Sequence, residues 1–311
     1  MTKYPGKAYL LQAAVFLIVL LAGFGFLSPY FLSFSNVNNI LTASAVIGLM
    51  ALGATFVIAS GGIDLSTAAI MALAGVITAK CAQNFDLPPL LAILLAISVG
   101  AVCGFINGWL IDITGAPSFI VTLGMFSVVR ASAYIVSDGM PVYGLSDAMT
   151  AIGQKTLLGV STPVLFLAVA ALICIYLLNY TRFGIHTLIL GDNDQAAKAT
   201  GIPVRNLRLR IYGLAGALSG LAGFIFMART NSGDPTAGQN YELAAITAVI
   251  LGGANLFGGR ATIAGTFIGV LCLGVLQNGL NLLAIGTFYQ ILFVGLVLLA
   301  SAFLRRSGAR S

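Results

Sequence analysis

From Tyr9 to Leu27 the chain runs for 19 residues without one charged side chain. Runs of this kind recur along its whole length, and nothing else in the sequence restricts the fold so strongly. A helix that crosses a bilayer takes roughly 20 predominantly apolar residues. On that scale ten segments qualify: 9–27, 38–60, 66–82, 89–111, 117–136, 162–180, 209–228, 241–257, 261–281 and 287–304. They are continuous and lack the alternation of a membrane β-barrel strand. The expected fold is therefore all-α: an integral membrane protein of about ten transmembrane helices forming a single domain over residues 1–311. The two shortest segments, 66–82 and 241–257, are expected to be partial or re-entrant. Charged residues make up only 8% of the chain, against about 25% in a soluble domain. Soluble enzymes and nucleic-acid binders are excluded on that ground. Lys3 and Lys7 precede the first run, which is too long for a signal-peptide core and is followed by no small-x-small cleavage site. It reads as a retained helix.

Where the base lies gives an orientation. With the N-terminus inside, ten spans put Lys3, Lys7, Arg182, Lys198, Arg205, Arg208, Arg210, Arg260, Arg305, Arg306 and Arg310 on the inner side. Lys80, Lys155 and Arg229 fall outside, and Arg130 is left within the membrane. Cytoplasmic loops carry such an excess of Lys and Arg, so both termini are expected in the cytoplasm. The net charge of +6 is then a mark of topology and requires no nucleic acid.

Bond chemistry finds no footing. His186 is the single histidine and has no partnering motif. The four cysteines, Cys81, Cys103, Cys174 and Cys272, are widely spaced and read as small buried hydrophobes. Gly253–Arg260 reads GANLFGGR, which lacks the Lys-Ser/Thr of a phosphate loop. The chain is expected to be no enzyme and to hold no metal.

A transport pathway fits better. Gly100, Gly104 and Gly108 recur at four-residue spacing, as do Gly216 and Gly220, and such small residues let helices approach closely. Polar groups within spans are costly against lipid and face a bundle interior, a cavity or a partner chain. Asn107, Thr122, Arg130, Gln277, Asn278 and Asn281 are the candidate pathway-lining residues. Three uncharged amides within 277–281 suit a neutral hydroxylated ligand, or hydrogen bonds between helices. At 61–66, GGIDLS interrupts an apolar stretch; Asp64 or Ser66 is placed to cap the following helix, and the glycines allow a hinge.

These residues resemble something known. GGIDLS at 61–66, TRFGIHTLILGDNDQAAKATGI at 181–202 and VILGGANLFGG at 249–259 resemble, in order, the motifs of permease subunits of ribose-type sugar ABC importers. Permeases for branched-chain amino acids in the wider superfamily lack the GGIDLS run, which favours a sugar. The resemblance implies a monosaccharide importer in a bacterial inner membrane, with the cargo a ribose-like pentose or a related sugar or polyol. Its partners would be a cytoplasmic ABC ATPase carrying the ATP and magnesium, a periplasmic sugar-binding protein and a second permease copy or paralogue. The loop at about 181–208 would couple to the ATPase through Gly191, Asn193, Ala196, Ala197, Gly201 and Ile202. Arg205 and Arg208 would meet acidic ATPase residues or act as inner-side anchors, and Gly61, Gly62, Asp64 and Ser66 would form the hinge. The competing class is an ion-coupled carrier or channel working without an ATPase.

Overall fold

The computed structural model describes residues 6–157, 159–286, 288–290, 292–297 and 299. Among the described residues, eight helices are long and apolar enough to cross a membrane: α1 (Gly6–Leu27), α2 (Phe34–Ala59), α3 (Thr67–Phe85), α4 (Pro89–Thr114), α5 (Ser118–Val136), α7 (Thr162–Tyr180), α10 (Val204–Thr230) and α12 (Ile263–Leu282). Shorter helices are α6 (Asp147–Gln154), α8 (Arg182–Asp192), α9 (Asp194–Ala199) and α11 (Tyr241–Leu251). Helices dominate because lipid offers no hydrogen bonds, so each crossing segment satisfies its own backbone. Two-stranded pairings tie the loops at one end: β1 (Val142–Tyr143) with β4 (Ser232–Gly233), and β2 (Thr156–Leu157) with β3 (Val160–Ser161). That end also carries α6, while α8 and α9 lie at the opposite end.

The shortest expected spans divide. Segment 66–82 becomes the full 19-residue helix α3. Segment 241–257 does not form a spanning helix, since α11 stops after 11 residues at a Gly252–Gly253 turn. The expected span at 287–304 falls partly outside the described residues.

α2 and α10 form the centre. α2 is buried without interruption from Ser44 to Ala59, and α10 packs along α4, α2 and α3. Hydrophobicity cannot drive this association, because lipid tails are as apolar as the side chains; close packing and interhelical hydrogen bonds do. Along the α4–α10 seam, methyl groups added at Gly100, Gly104, Gly216 or Gly220 would run into Gly216, Tyr212, Gly100 and Ala96 carbonyls respectively. The backbones touch, which is why no other residue fits. Polar clasps act elsewhere: Asn36 and Asn278 exchange amide hydrogen bonds of 2.9 and 3.0 Å between α2 and α12, and Thr55 and Thr266 hydroxyls lie 2.7 Å apart. Outward faces stay apolar, as at Phe26, Val128, Ile135 and Leu172.

Candidate functional site

The GGIDLS run leaves α2 through Gly61, whose φ of 80° suits glycine, and continues as extended chain. Its exposed edge is taken by the first turns of α5. The Ile63 N–H donates to Ser118 Oγ (2.9 Å), the Leu65 N–H donates to Thr122 Oγ1 (3.2 Å), and the Thr122 hydroxyl donates to the Ile63 carbonyl (3.2 Å). Asp64 then folds back: its Oδ1 accepts the Ser66 N–H (2.9 Å) and hydroxyl (2.6 Å), and Asn107 Nδ2 donates to Ser66 Oγ (2.8 Å). Asp64, Ser66, Asn107 and Thr122 are all buried. No side chain caps α3; Ser66 occupies the cap position while its hydroxyl is turned to Asp64. Asn107 and Thr122, candidate pathway-lining residues by sequence, hold this strand against α4 and α5.

At the same end, α8 brings Gly191 against the last turn of α2. A side chain on Gly191 would strike the Ala59 carbonyl, which also accepts the Gly259 N–H at 3.0 Å, and one on Gly258 would strike Gly191 and the Gly61 backbone. The three motif segments, distant in sequence, therefore meet through glycines from each of them. Asn193 starts α9, its Oδ1 accepting the Ala196 N–H at 2.9 Å. Ala197 turns inward and is fully buried, while Ala196 is exposed. Gly201 (φ 78°) ends the helix; its N–H donates to the Lys198 carbonyl (3.1 Å), and the N–H of buried Ile202 donates to the Ala197 carbonyl (3.2 Å). Among the described residues no atom lies within 4 Å of where a Gly201 side chain would start, so what constrains the position there is backbone conformation. A β-branched residue there costs about 1–2 kcal/mol of left-handed strain, whereas Asn tolerates that region. Gly201→Val is thus expected to lower sugar-stimulated ATP hydrolysis of the assembled complex severalfold and Gly201→Asn to leave it within twofold; equal effects would remove the conformational argument.

Arg205 and Arg208 are engaged within the chain. Arg205 Nε lies 3.4 Å from Asp112 Oδ2, and Arg208 reaches both Asp112 (3.7 Å) and Asp194 (3.3 Å). Asp194 also pairs with Lys198 at 2.6 Å. This charge cluster joins the ends of α4 and α10 to α9 and borders a cleft of 430 Å³.

The remaining polar residues separate. Arg130 Nη1 donates to the carbonyls of Pro235 (2.7 Å) and Ala237 (2.9 Å), holding extended chain that leads into α11. Its guanidinium also lies 5.5 Å from the Phe126 ring. Asn278 is occupied by Asn36, Asn281 is exposed and accepts from Gln290 at 2.7 Å, and Gln277 is half-buried on α12. Asp112 counts in the sequence only as an acid at a helix end, and Asp194 and Asn36 carry no mark of their own. Their only signal was an opposite charge or a second amide far along the chain, which spacing does not reveal.

The chain matches the family model described as branched-chain amino acid transport system / permease component over residues 36–302. It is 43% identical over 294 residues to the ribose import permease protein RbsC of Bacillus subtilis (strain 168), covering 94% of this chain and 90% of that one. Identity to the ribose import permease protein RbsC of Escherichia coli (strain K12) is 38% over 303 residues, with 96% and 94% covered. The fructose import permease protein FrcC of Rhizobium meliloti is 37% identical over 299 residues, with 92% and 83% covered. No solved structure matches. The chain is thus a multi-pass helical membrane protein and belongs to this family of transport-system permease components. Within it, the chain stands with the ribose-type sugar ABC import permeases.

Proposed function

We propose that this chain forms the translocation pathway of a binding-protein-dependent importer. It would carry a monosaccharide, a ribose-like pentose or a related sugar or polyol, across a bacterial inner membrane. The observation that carries the reading is the convergence of 61–66, 191–202 and 249–259 at one end of the bundle. There a short, well-capped helix, α9, is presented at the surface while buried glycine contacts connect its base to α2. A partner that moves α8 and α9 therefore moves the extended strand and the α2 terminus with them. The end with α8 and α9 carries Lys198, Arg205, Arg208, Arg210 and Arg260 and is assigned to the cytoplasm. An even number of crossings would put both termini there as well.

The pathway would take two permease copies, or this chain and a paralogue. ATP and magnesium would belong to the cytoplasmic ATPase, and the periplasmic protein would deliver sugar to the end with α6. Closure of the ATPase pair would draw the two α9 helices together and open the route outward; hydrolysis would reset it. No bond chemistry falls to this chain.

An ion-coupled carrier would draw on Asp64 and Glu242, both buried, but kinship with import permeases favours the importer. The test is ATP hydrolysis by the complex purified in lipid discs with its ATPase and binding protein. Stimulation by one sugar, only with the binding protein present, is the expected result. Transport of sugar or ions by the chain alone in liposomes would install the carrier instead.

A further inference from the structure

The segment 231–251 crosses the bundle in two unlike halves. From Asn231 to Asn240 it lacks helix apart from the short β4 pairing, and only then does α11 begin. α11 has 11 residues, so it covers about 16 Å at 1.5 Å per residue, roughly half of a hydrocarbon layer about 30 Å thick. Its far end leads into the 252–260 loop packed on Ala59 and Gly191, at the end of the bundle with α8 and α9. Its first residue therefore lies near the membrane midplane.

Arg130 gives the same depth from another element. It is the thirteenth residue of α5, hence about 18 Å along that axis, and it holds the carbonyls of Pro235 and Ala237.

At that depth Gln239 and Asn240 are exposed. Amide side chains facing hydrocarbon are costly, and non-helical backbone survives at membrane depth only within protein or along a water-filled cavity. Discontinuous segments that begin a half-helix at the midplane are a common way for transporters to build such a place.

We propose that Gln239 and Asn240 line the route at the membrane midplane and bind the hydroxyl groups of a neutral, polyhydroxylated cargo, with Arg130 positioning the strand that presents them. Two amides supply donors and acceptors together, as a sugar hydroxyl requires. The charges around this segment balance, Arg130 and Arg229 against Glu242 and Asp234, so the lining selects no net charge. The inference deepens the importer reading and rests on it.

The test uses the complex with its ATPase and binding protein in liposomes, with Gln239→Cys introduced after Cys81, Cys103, Cys174 and Cys272 are changed to Ser or Ala. A water-soluble, membrane-impermeant thiosulfonate should modify Cys at 239, and loading the binding protein with the cargo sugar should slow modification at least threefold. Gln239→Ala and Asn240→Asp should each reduce uptake about tenfold, with the ATPase still co-purifying. Failure of the reagent to react, or a rate indifferent to sugar, would overturn the assignment. So would a disulfide formed between the two copies at position 239, which would make the amides a subunit contact. If the unsubstituted complex imports no sugar, the importer reading itself fails, and that outcome is separate from the others.

Discussion

Gly104→Leu is expected to prevent the bundle from assembling. A side chain at this position begins inside the Tyr212 carbonyl group and within 3.1 Å of the Gly213 Cα. The obstacle is backbone on α10, which cannot rotate aside as a side chain does. Overpacking of a core ordinarily costs about 1–3 kcal/mol. Here α4 and α10 would have to separate along their whole seam, losing the contacts at Gly100, Gly216 and Gly220 together. We expect a loss of more than about 3 kcal/mol, a factor above roughly 100 in the folded population. It would be read as a collapsed thermal midpoint in detergent or as failure to accumulate in the membrane. Gly124→Leu is the matched control. Gly124 is also a helical glycine, on α5, but among the described residues no atom lies within 4 Å of its added carbon, so a change within about 0.5 kcal/mol is expected. Equal melting of the two variants would show that the seam tolerates a gap and that its glycines are not needed for close approach.

That seam was legible beforehand, because the four-residue spacing of Gly100, Gly104 and Gly108 places them on one helix face. Eight spans were legible for a related reason: a lipid-crossing helix closes its own hydrogen bonds, and its signal is local. Segment 241–257 misled because hydropathy averages over 19 or so residues and does not register how a helix ends. Gly252 packs against the Gly265 carbonyl and Gly253 has a φ of 99°, so α11 stops in the middle of an apolar run. The polar stretch from Thr236 to Asn240 marked its other limit and passed for an ordinary loop. What makes it tenable inside the membrane is Arg130, more than 100 residues away, and no pattern within either segment announces that partnership. The same holds for Asn107, whose hydrogen-bond partner Ser66 lies 41 residues away.

Arg208→Glu is expected to uncouple the chain from its ATPase. Arg208 stands between Asp112 at the end of α4 and Asp194 at the start of α9, with 25% of its side chain exposed. Partial exposure screens each contact, so neither ion pair is worth more than about 1 kcal/mol. Reversal does more than delete them: it sets a carboxylate between two others and drives α9 away from α10. A fall of about tenfold in sugar moved per ATP hydrolysed, roughly 1.4 kcal/mol of lost coupling, is the expected result in proteoliposomes. Lys198→Ala removes the more exposed partner of the same Asp194, its side chain 59% exposed. An exposed pair four residues apart on a helix contributes only about 0.3–0.5 kcal/mol, so that variant should couple almost normally. The decisive variant is Arg208→Glu combined with Asp112→Arg, which restores one opposite pair across α4 and α10 and leaves Asp194 of α9 facing the carboxylate introduced at 208. If the cluster acts through α9, the double variant regains stability but little coupling. Full recovery would mean that Arg208 merely fastens α10 to α4, and that force from the ATPase enters the bundle through the glycine contact of Gly191 with Ala59 alone.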